Sequence, residues 1–388
     1  MSRTRMEAQP DLVEEARSLA PAILAARDEI EQQRCLPLGL FETMARTGIF
    51  RMTMPRDLGG SAVDPVTMFR VIEEVSVADG SAGWFVMVAS QHNKLAAYLE
   101  DLDVARAISA SPSFFAAGKP FTPEGRAKAV EGGYRVSGNF PFGSGCGRAD
   151  WIAVACRIFD GDAMRIGADG LPANRTMFIP AAACEILDTW SVSGLRGSGS
   201  HEIVVNDVFV PGDHSISRTT IPAHGATAAR MMPTFPMAVA AVATGVARCA
   251  IDALMELAGA KKPQGTPGKL LRERVTVQMQ VAQAEATLGA ARAYVLDEAS
   301  EWWGASPAEE VSRRTRLRLA SIYAVESATR AVDLMYAAGG GTSIYTSSLL
   351  ERAFRDVHTI TQHSVAAATG YETVGRAMLG LEVPTPFA

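Results

Sequence analysis

Basic clusters, paired cysteines, metal-ligand spacings and nucleotide fingerprints are all missing from this chain of 388 residues. Lys plus Arg number 37 against 42 Asp plus Glu, a formal net charge of −5. No stretch concentrates cations as a phosphate-binding surface requires, so nucleic acid is not an expected partner. The five cysteines, Cys35, Cys146, Cys156, Cys184 and Cys249, are scattered without a C-x-x-C pair. That fits neither a disulfide framework nor a zinc site, and it points to a reducing cytoplasm. Among His92, His201, His214, His224, His358 and His363 no pair has the i, i+4 spacing of a metal-binding helix, so no metal is expected. The glycine-rich runs at 143–147, 194–200 and 337–343 lack the strand-to-helix context of a dinucleotide or phosphate loop, and no G-x-S-x-G occurs. Long apolar runs are scarce too. Met237 to Ala247 is Ala-rich, short and followed by Arg248 and Asp252, so it reads as a buried core helix; a bilayer span needs roughly 20 apolar residues. Glu7, Asp11, Glu14 and Glu15 stand where a signal peptide needs an apolar core, so neither export nor a membrane partner is expected.

What is present divides by texture. From about Asp11 to Leu99 apolar residues recur at helical spacing, as in Val13, Ala16, Leu19, Ala20 and Ile23. Between about Phe114 and Val210 the pattern changes to short alternating runs punctuated by Gly, Asn and Asp, which are strands and hairpin turns. After about Thr234 helical texture returns, with a nearly uninterrupted pattern from Leu270 to Trp303 that would make a helix about 45 Å long, a length suited to a bundle. The Pro- and Gly-containing segment Lys261 to Lys269 reads as a surface connection.

Four stretches carry a family pattern: PRDLGG at 55–60, YRVSGNFPFGSGCGRADWIAV at 134–154, GLRGSGSHEIVVNDVFVP at 194–211 and GGGTSIYTSSLLERAFRDVHTITQH at 339–363. In that order and at those distances they resemble the acyl-CoA dehydrogenase superfamily over essentially the whole chain. The resemblance implies a mostly α fold with a central β-barrel: an N-terminal α-helical domain at 1–115, a β-barrel domain at 116–225 and a C-terminal four-helix bundle at 226–388.

One departure narrows the reading. Dehydrogenases of this superfamily commonly place a catalytic glutamate shortly after the C-terminal Arg-Asp pair. Here Arg355-Asp356 is followed by VHTITQHSVAA, with no carboxylate before Glu372, and His363 stands in that neighbourhood. Together with the SGC at 144–146 and the Trp84 and His92 pattern, this is similar to the two-component flavin-dependent monooxygenases of the same fold. These include the oxygenase components for p-hydroxyphenylacetate, secosteroids and indoleacetate, and dibenzothiophene monooxygenase. The resemblance implies reduced FMN or FAD supplied by a separate NAD(P)H-dependent flavin reductase. O2 is the co-substrate, a flavin C(4a)-hydroperoxide forms, and an aromatic, phenolic or indolic small molecule is hydroxylated. It also implies a homotetramer. The alternatives are an acyl-CoA dehydrogenase whose glutamate comes from elsewhere, Glu256 or Glu73, and a non-catalytic flavin-binding protein of the same fold.

By the same resemblance Ser144 carries a hydroxyl donor to the flavin, and His363 is the imidazole that donates or accepts a proton near the reacting oxygen. If 350–366 were one helix, His358 and His363 would lie about 140° apart around its axis and could not both face the flavin; the family pattern selects His363. Trp84, Val88 and His92 fall on one helical face; the resemblance implies that Trp84 and His92 are pocket residues with His92 catalytic, the alternative being a core tryptophan with a polar histidine at a domain seam. Ser144, Arg196, Ser198, Ser200, Arg274 (with Arg272 as plausible by spacing), Gly340, Gly341 and Thr342 are the flavin-binding candidates. Arg352 and Arg355 are either phosphate ligands or ion-pair formers. Phe115 and Phe142, with Trp84 and His92, form the substrate wall, to which Phe114 and Trp190 are possible additions.

Overall fold

The computed structural model describes residues 11–217, 223–225, 231–264 and 268–383. Six helices come first: α1 (Leu12–Ser18), α2 (Ala20–Gln33), α3 (Leu38–Arg46), α4 (Pro65–Ala78), α5 (Gly80–His92) and α6 (Leu102–Ile108). Acidic caps start several of them. Asp11 accepts from the Val13 and Glu14 amides, Asp64 from Thr67, and Asp79 from Ala82, each satisfying a donor that a helix start leaves unpaired. Helix α5 is buried along its whole length, as a helix apolar on every side must be in a large chain. It is the wall on which the other elements close.

The strands are β1 (Ala116–Lys119), β2 (Gly125–Val130), β3 (Gly133–Gly143), β4 (Trp151–Asp160), β5 (Ala163–Met164), β6 (Asn174–Pro180), β7 (Glu185–Leu187), β8 (His201–Pro211) and β9 (Ser215–Ser217). They form one mixed sheet in the order β7-β8-β3-β2-β4-β6-β9, with β1 and β5 also paired to β4. β4 has parallel partners in β1 and β2 and antiparallel ones in β5 and β6. It is buried from Ile152 to Cys156, which explains its near-continuous apolar run. The β3–β8 ladder slips in register between Phe140 and Gly143, immediately before Ser144. An irregular strand end re-aims the backbone there, a common device at sites.

Among the described residues that follow, five helices stand: α7 (Phe235–Ala260), α8 (Val275–Gly304), α9 (Glu310–Gly339), α10 (Leu349–Ile360) and α11 (Gly370–Met378). Met237 to Ala247 is buried within α7. That helix is long and apolar enough to cross a membrane by composition, yet 78% of its most apolar window is packed inside the protein, as a bundle core requires. Two helical expectations shift. The helix expected from Leu270 begins at Val275, because a 3-10 turn at Leu271–Glu273 and extended backbone at Arg274 precede it. The helix assumed over 350–366 ends at Ile360. Beyond it the amides of Gln362 and His363 bond to carbonyls three residues back, while the Thr359 and Thr361 hydroxyls bond the Arg355 and His358 carbonyls. Threonines that bond their own turn weaken helix continuation. His363 therefore lies in a turn past the helix end, and the angular argument relating it to His358 does not apply.

Candidate active site

Three segments from distant parts of the sequence meet beside α5. The β3 end supplies Ser144, the turn before β8 supplies Ser198 and Ser200, and α5 supplies Trp84. The Trp84 indole N–H donates to Ser144 Oγ at 3.0 Å. Ser144 Oγ lies 2.7 Å from Ser200 Oγ, which lies 2.8 Å from Ser198 Oγ. The backbone joins the same turns, since the Gly145 amide donates to the Ser198 carbonyl at 2.9 Å. Ser198 and Ser200 are buried, whereas Ser144 is partly open. A serine oxygen accepts twice and donates once. Trp84 donates to Ser144, and in each serine pair either oxygen can be the donor; in the arrangement where Ser198 donates to Ser200 and Ser200 to Ser144, the Ser144 O–H is left to point outward.

Two histidines are linked through aromatic rings. The His363 ring packs edge-on against Trp84 at 5.6 Å and Phe235 at 5.4 Å between centroids; Phe235 packs against Phe121 at 5.7 Å, and Phe121 against His92 at 5.8 Å. Burial drives both imidazoles down to about 4, so each is neutral at pH 7. Their hydrogen bonds fix opposite tautomers. His92 Nδ1 meets the Ala116 carbonyl at 3.2 Å and must carry the proton, leaving Nε2 as an acceptor. His363 Nδ1 instead accepts from the Val365 amide at 3.4 Å, leaving Nε2–H as a donor. One ring can take a proton and the other can give one.

The remaining candidates divide by position. Phe142 is 64% exposed, has φ 64°, and packs edge-on against Trp190 at 6.2 Å with Lys119 over its ring. It is an apolar platform open to a ligand. Phe115 is not. It is fully buried among Phe41, Phe50 and Phe85, with ring centroids 5.4–5.9 Å away, and Phe114 is equally enclosed. The apolar character that made Phe115 a wall residue places it in the core beneath the Ser144 turn. There the left-handed Gly145 (φ 74°) leaves its ring room: a Cβ would stand 2.6 Å from Phe115.

Arg196 is held by Glu31 at 3.2 Å and the Val192 carbonyl at 3.0 Å, at a seam with α2. Arg352 pairs with Asp28, and Arg355 with Glu31 and Glu351, as ion-pair formers do. His358 pairs with Asp333 at 2.9 Å. Arg274 stands at the N-cap of α8, donating to the Gln264 carbonyl. Gly340 (φ 56°), Gly341 and Thr342 follow α9, where Lys261 binds the Gly339 carbonyl and the Thr342 hydroxyl at 2.7 and 2.6 Å. Lys261, whose carbonyl also accepts from the Leu271 amide, ties the turn before α8 to the turn after α9. The two carboxylates held in reserve for a dehydrogenase are elsewhere: Glu73 is gripped by Arg292 at 2.8–2.9 Å, and Glu256 is exposed on α7.

Sequence reasoning missed Phe121 and Phe235, which carry the ring path between the histidines, because an isolated Phe at a strand or helix border has no spacing signal. It also missed Lys94. Its ammonium is fully buried, bonded to Gln91 Oε1 at 2.8 Å and to the Met231 carbonyl at 2.6 Å, and pushed down to about 7 by burial.

Comparison with known proteins extends this picture. A family model described as acyl-CoA dehydrogenase, C-terminal domain, matches residues 237–368, and one described as acyl-CoA dehydrogenase, N-terminal domain, matches residues 6–100. The indole-3-acetate monooxygenase of Pseudomonas putida is 31% identical over 365 residues, covering 92% of this chain and 90% of its own length. The flavin-dependent monooxygenase oxygenase subunit HsaA of Rhodococcus jostii is 27% identical, with 94% and 97% covered. In fold, the crystal structure of 3-HSA hydroxylase from Rhodococcus sp. RHA1 superposes with a TM-score of 0.86 at 24% identity, covering 98% of this chain and 99% of that one. The chain belongs to the acyl-CoA dehydrogenase superfamily, in its branch of flavin-dependent monooxygenases.

Proposed function

We propose that this chain is the oxygenase component of a two-component system in the cytoplasm. It takes reduced FMN or FAD from a separate NAD(P)H-dependent reductase and uses O2 to hydroxylate an aromatic, phenolic or indolic small molecule. The observation that carries the reading is the neutral polar set around Trp84: three chained hydroxyls with the partly open Ser144 at one end, and an imidazole held as a donor. A dehydrogenase needs a carboxylate base at this point, and every side chain named in the cluster is neutral.

The donor set fits a flavin ring. Ser144 offers the outward hydroxyl, and the Phe142–Trp190 pair offers apolar surface beside it. When bound, reduced flavin supplies the electrons that activate O2. The protein's own contribution is to hold and move protons in a dry setting. Ser144 donates toward the ring from a position fixed by Trp84 and Ser200, so the donor need not reorganise. His363 presents Nε2–H beside Trp84. His92, with Nε2 bare, accepts the proton of a substrate hydroxyl or ring N–H, and Phe121 and Phe235 exclude water between the two. Arg274, Gly340, Gly341 and Thr342 serve the distal part of a flavin, in a homotetramer assembled through the bundle. The aromatic substrate class is supported by the indole-3-acetate monooxygenase, the relative at 31% identity.

The test is rapid mixing of the reduced-flavin complex with oxygen, in the presence of phenols and indoles. Hydroxylated product is expected, and no bleaching of oxidised flavin by short acyl-CoA thioesters under anaerobic conditions. Bleaching without oxygenated product establishes the dehydrogenase instead.

A further inference from the structure

The hydroxyl chain depends on a turn whose supports come from another part of the fold. Leu195 opens that turn with φ 50° and ψ 34°. A non-glycine residue keeps such left-handed backbone only where its surroundings over-determine it. They do so here from three directions. The Leu195 amide donates to Asp356 Oδ1 at 2.6 Å, its carbonyl accepts from the Trp190 indole at 3.1 Å, and the Arg355 guanidinium holds the Ser193 carbonyl. Gly194 approaches α10 so closely that a Cβ there would collide with the Arg355 carbonyl.

Asp356 has a second face. It is buried on α10, and its Oδ2 points at Gly80, the first residue of α5, where an added Cβ would stand 3.0 Å away. A negative group is favoured at a helix start. Trp84, the donor to Ser144, lies one turn further along α5. One carboxylate thus touches both the turn that carries Ser198 and Ser200 and the helix that carries Trp84.

We propose that Asp356 is a positioning residue that sets the serine-bearing turn in register with α5, so that the Trp84–Ser144–Ser200–Ser198 chain closes. Its consequence for catalysis rests on the oxygenase reading above; its structural half does not. The titratable and charged groups facing it are Asp79 at the α5 cap, Arg27 and Glu31 from α2, Cys249 from α7, and Arg352 and Arg355 from α10 itself. Burial first, and then the Asp79 charge, push the Asp356 carboxyl up to about 7. An ionised oxygen accepts an N–H more strongly than a protonated acid does. Ionisation strengthens the bond to Leu195 while burying a charge beside Asp79 costs stability, so protection over this turn changes as pH passes through neutrality.

Two variants of the full chain, Asp356→Ala and Asp356→Asn, test this by amide hydrogen exchange corrected for intrinsic rates, followed over the 193–200 turn and the first turns of α5. The alanine variant is expected to exchange faster in both segments, by about tenfold or more, with α8 and α9 unchanged. Asparagine retains an acceptor for the Leu195 amide. It is expected to stay within about threefold of the parent at low pH, and to lose the parent's change in protection between pH 6 and 8. No acceleration in the alanine variant, or a uniform one across the chain, overturns the proposal. If the alanine variant does not fold, an asparagine variant that keeps the parent's pH dependence overturns it. Exchange is read without flavin, so it judges Asp356 separately. Exchange as expected in a chain that forms no hydroxylated product overturns the oxygenase reading alone.

Discussion

Removing the Ser144 hydroxyl separates oxygen consumption from oxygen transfer. In Ser144→Ala the Trp84 indole N–H, buried and bonded to that oxygen at 3.0 Å, loses this acceptor. Leaving such a donor unpaired costs about 1–3 kcal/mol of stability, which this fold should tolerate. The catalytic cost is larger in kind. A preorganised donor at a reacting centre is worth about 3–4 kcal/mol, a factor of about 10² to 10³. The variant is expected to bind reduced flavin and consume O2, but to release hydrogen peroxide where the parent forms hydroxylated product. The assay is the ratio of product to peroxide per reduced flavin consumed. Ser198→Ala gives the internal scale. Ser198 sits two hydroxyls back, so its removal should cost about one neutral hydrogen bond, 0.5–1.5 kcal/mol, and lower the ratio by less than about tenfold. A Ser144→Ala protein with the parent's ratio would refute the argument, as would a Ser198→Ala effect larger than that of Ser144→Ala.

Other consequences can be checked independently. Because His92 and His363 are held neutral with folded values of about 4, below the ordinary 6.5, the stability they lend is complete above pH 6.5 and drains away as pH falls toward 4. Each contributes about 2 kcal/mol of loss between pH 7 and 5, partly offset by Asp356, whose raised value works in the opposite sense. His363→Gln should therefore flatten the acid side of a plot of thermal midpoint against pH, and an unchanged slope counts against burial as the cause. Glu73→Gln loosens the paired grip of Arg292 between α4 and α8. It should lower the thermal midpoint, at a cost of about 1–3 kcal/mol, while leaving the product ratio as it was; loss of turnover at unchanged stability would restore Glu73 as a candidate base. Phe115→Ala should cost about 3–5 kcal/mol through the cavity it opens. Phe142→Ala, at an exposed position, should leave the thermal midpoint nearly unchanged and weaken flavin or substrate affinity; the reverse order in thermal and binding measurements would contradict their placement.

The sequence by itself determined the division into helical, β and helical regions, because the period of apolar residues differs between a buried helix face and a strand. It also carried the motif order that marks the superfamily, and the missing carboxylate after Arg355-Asp356 is a fact of residue identity alone. Ser144, Ser198, Ser200, Trp84 and His363 were legible as candidates for that reason. What the sequence could not carry was distance. Phe115 and Phe142 look alike as aromatic residues flanking strands, but only packing shows one enclosed by three rings and the other open. Arg196, a plausible flavin donor by type, is occupied by Glu31, which precedes it by more than a hundred residues. The opposite tautomers of His92 and His363 follow from single backbone contacts, to Ala116 and Val365, and backbone atoms are identical at every position of a sequence. Asp356 reads in the sequence as the second half of an Arg-Asp pair. Its hold on Leu195 and its approach to Gly80 exist only because three chain segments converge, and convergence is decided by the tertiary fold.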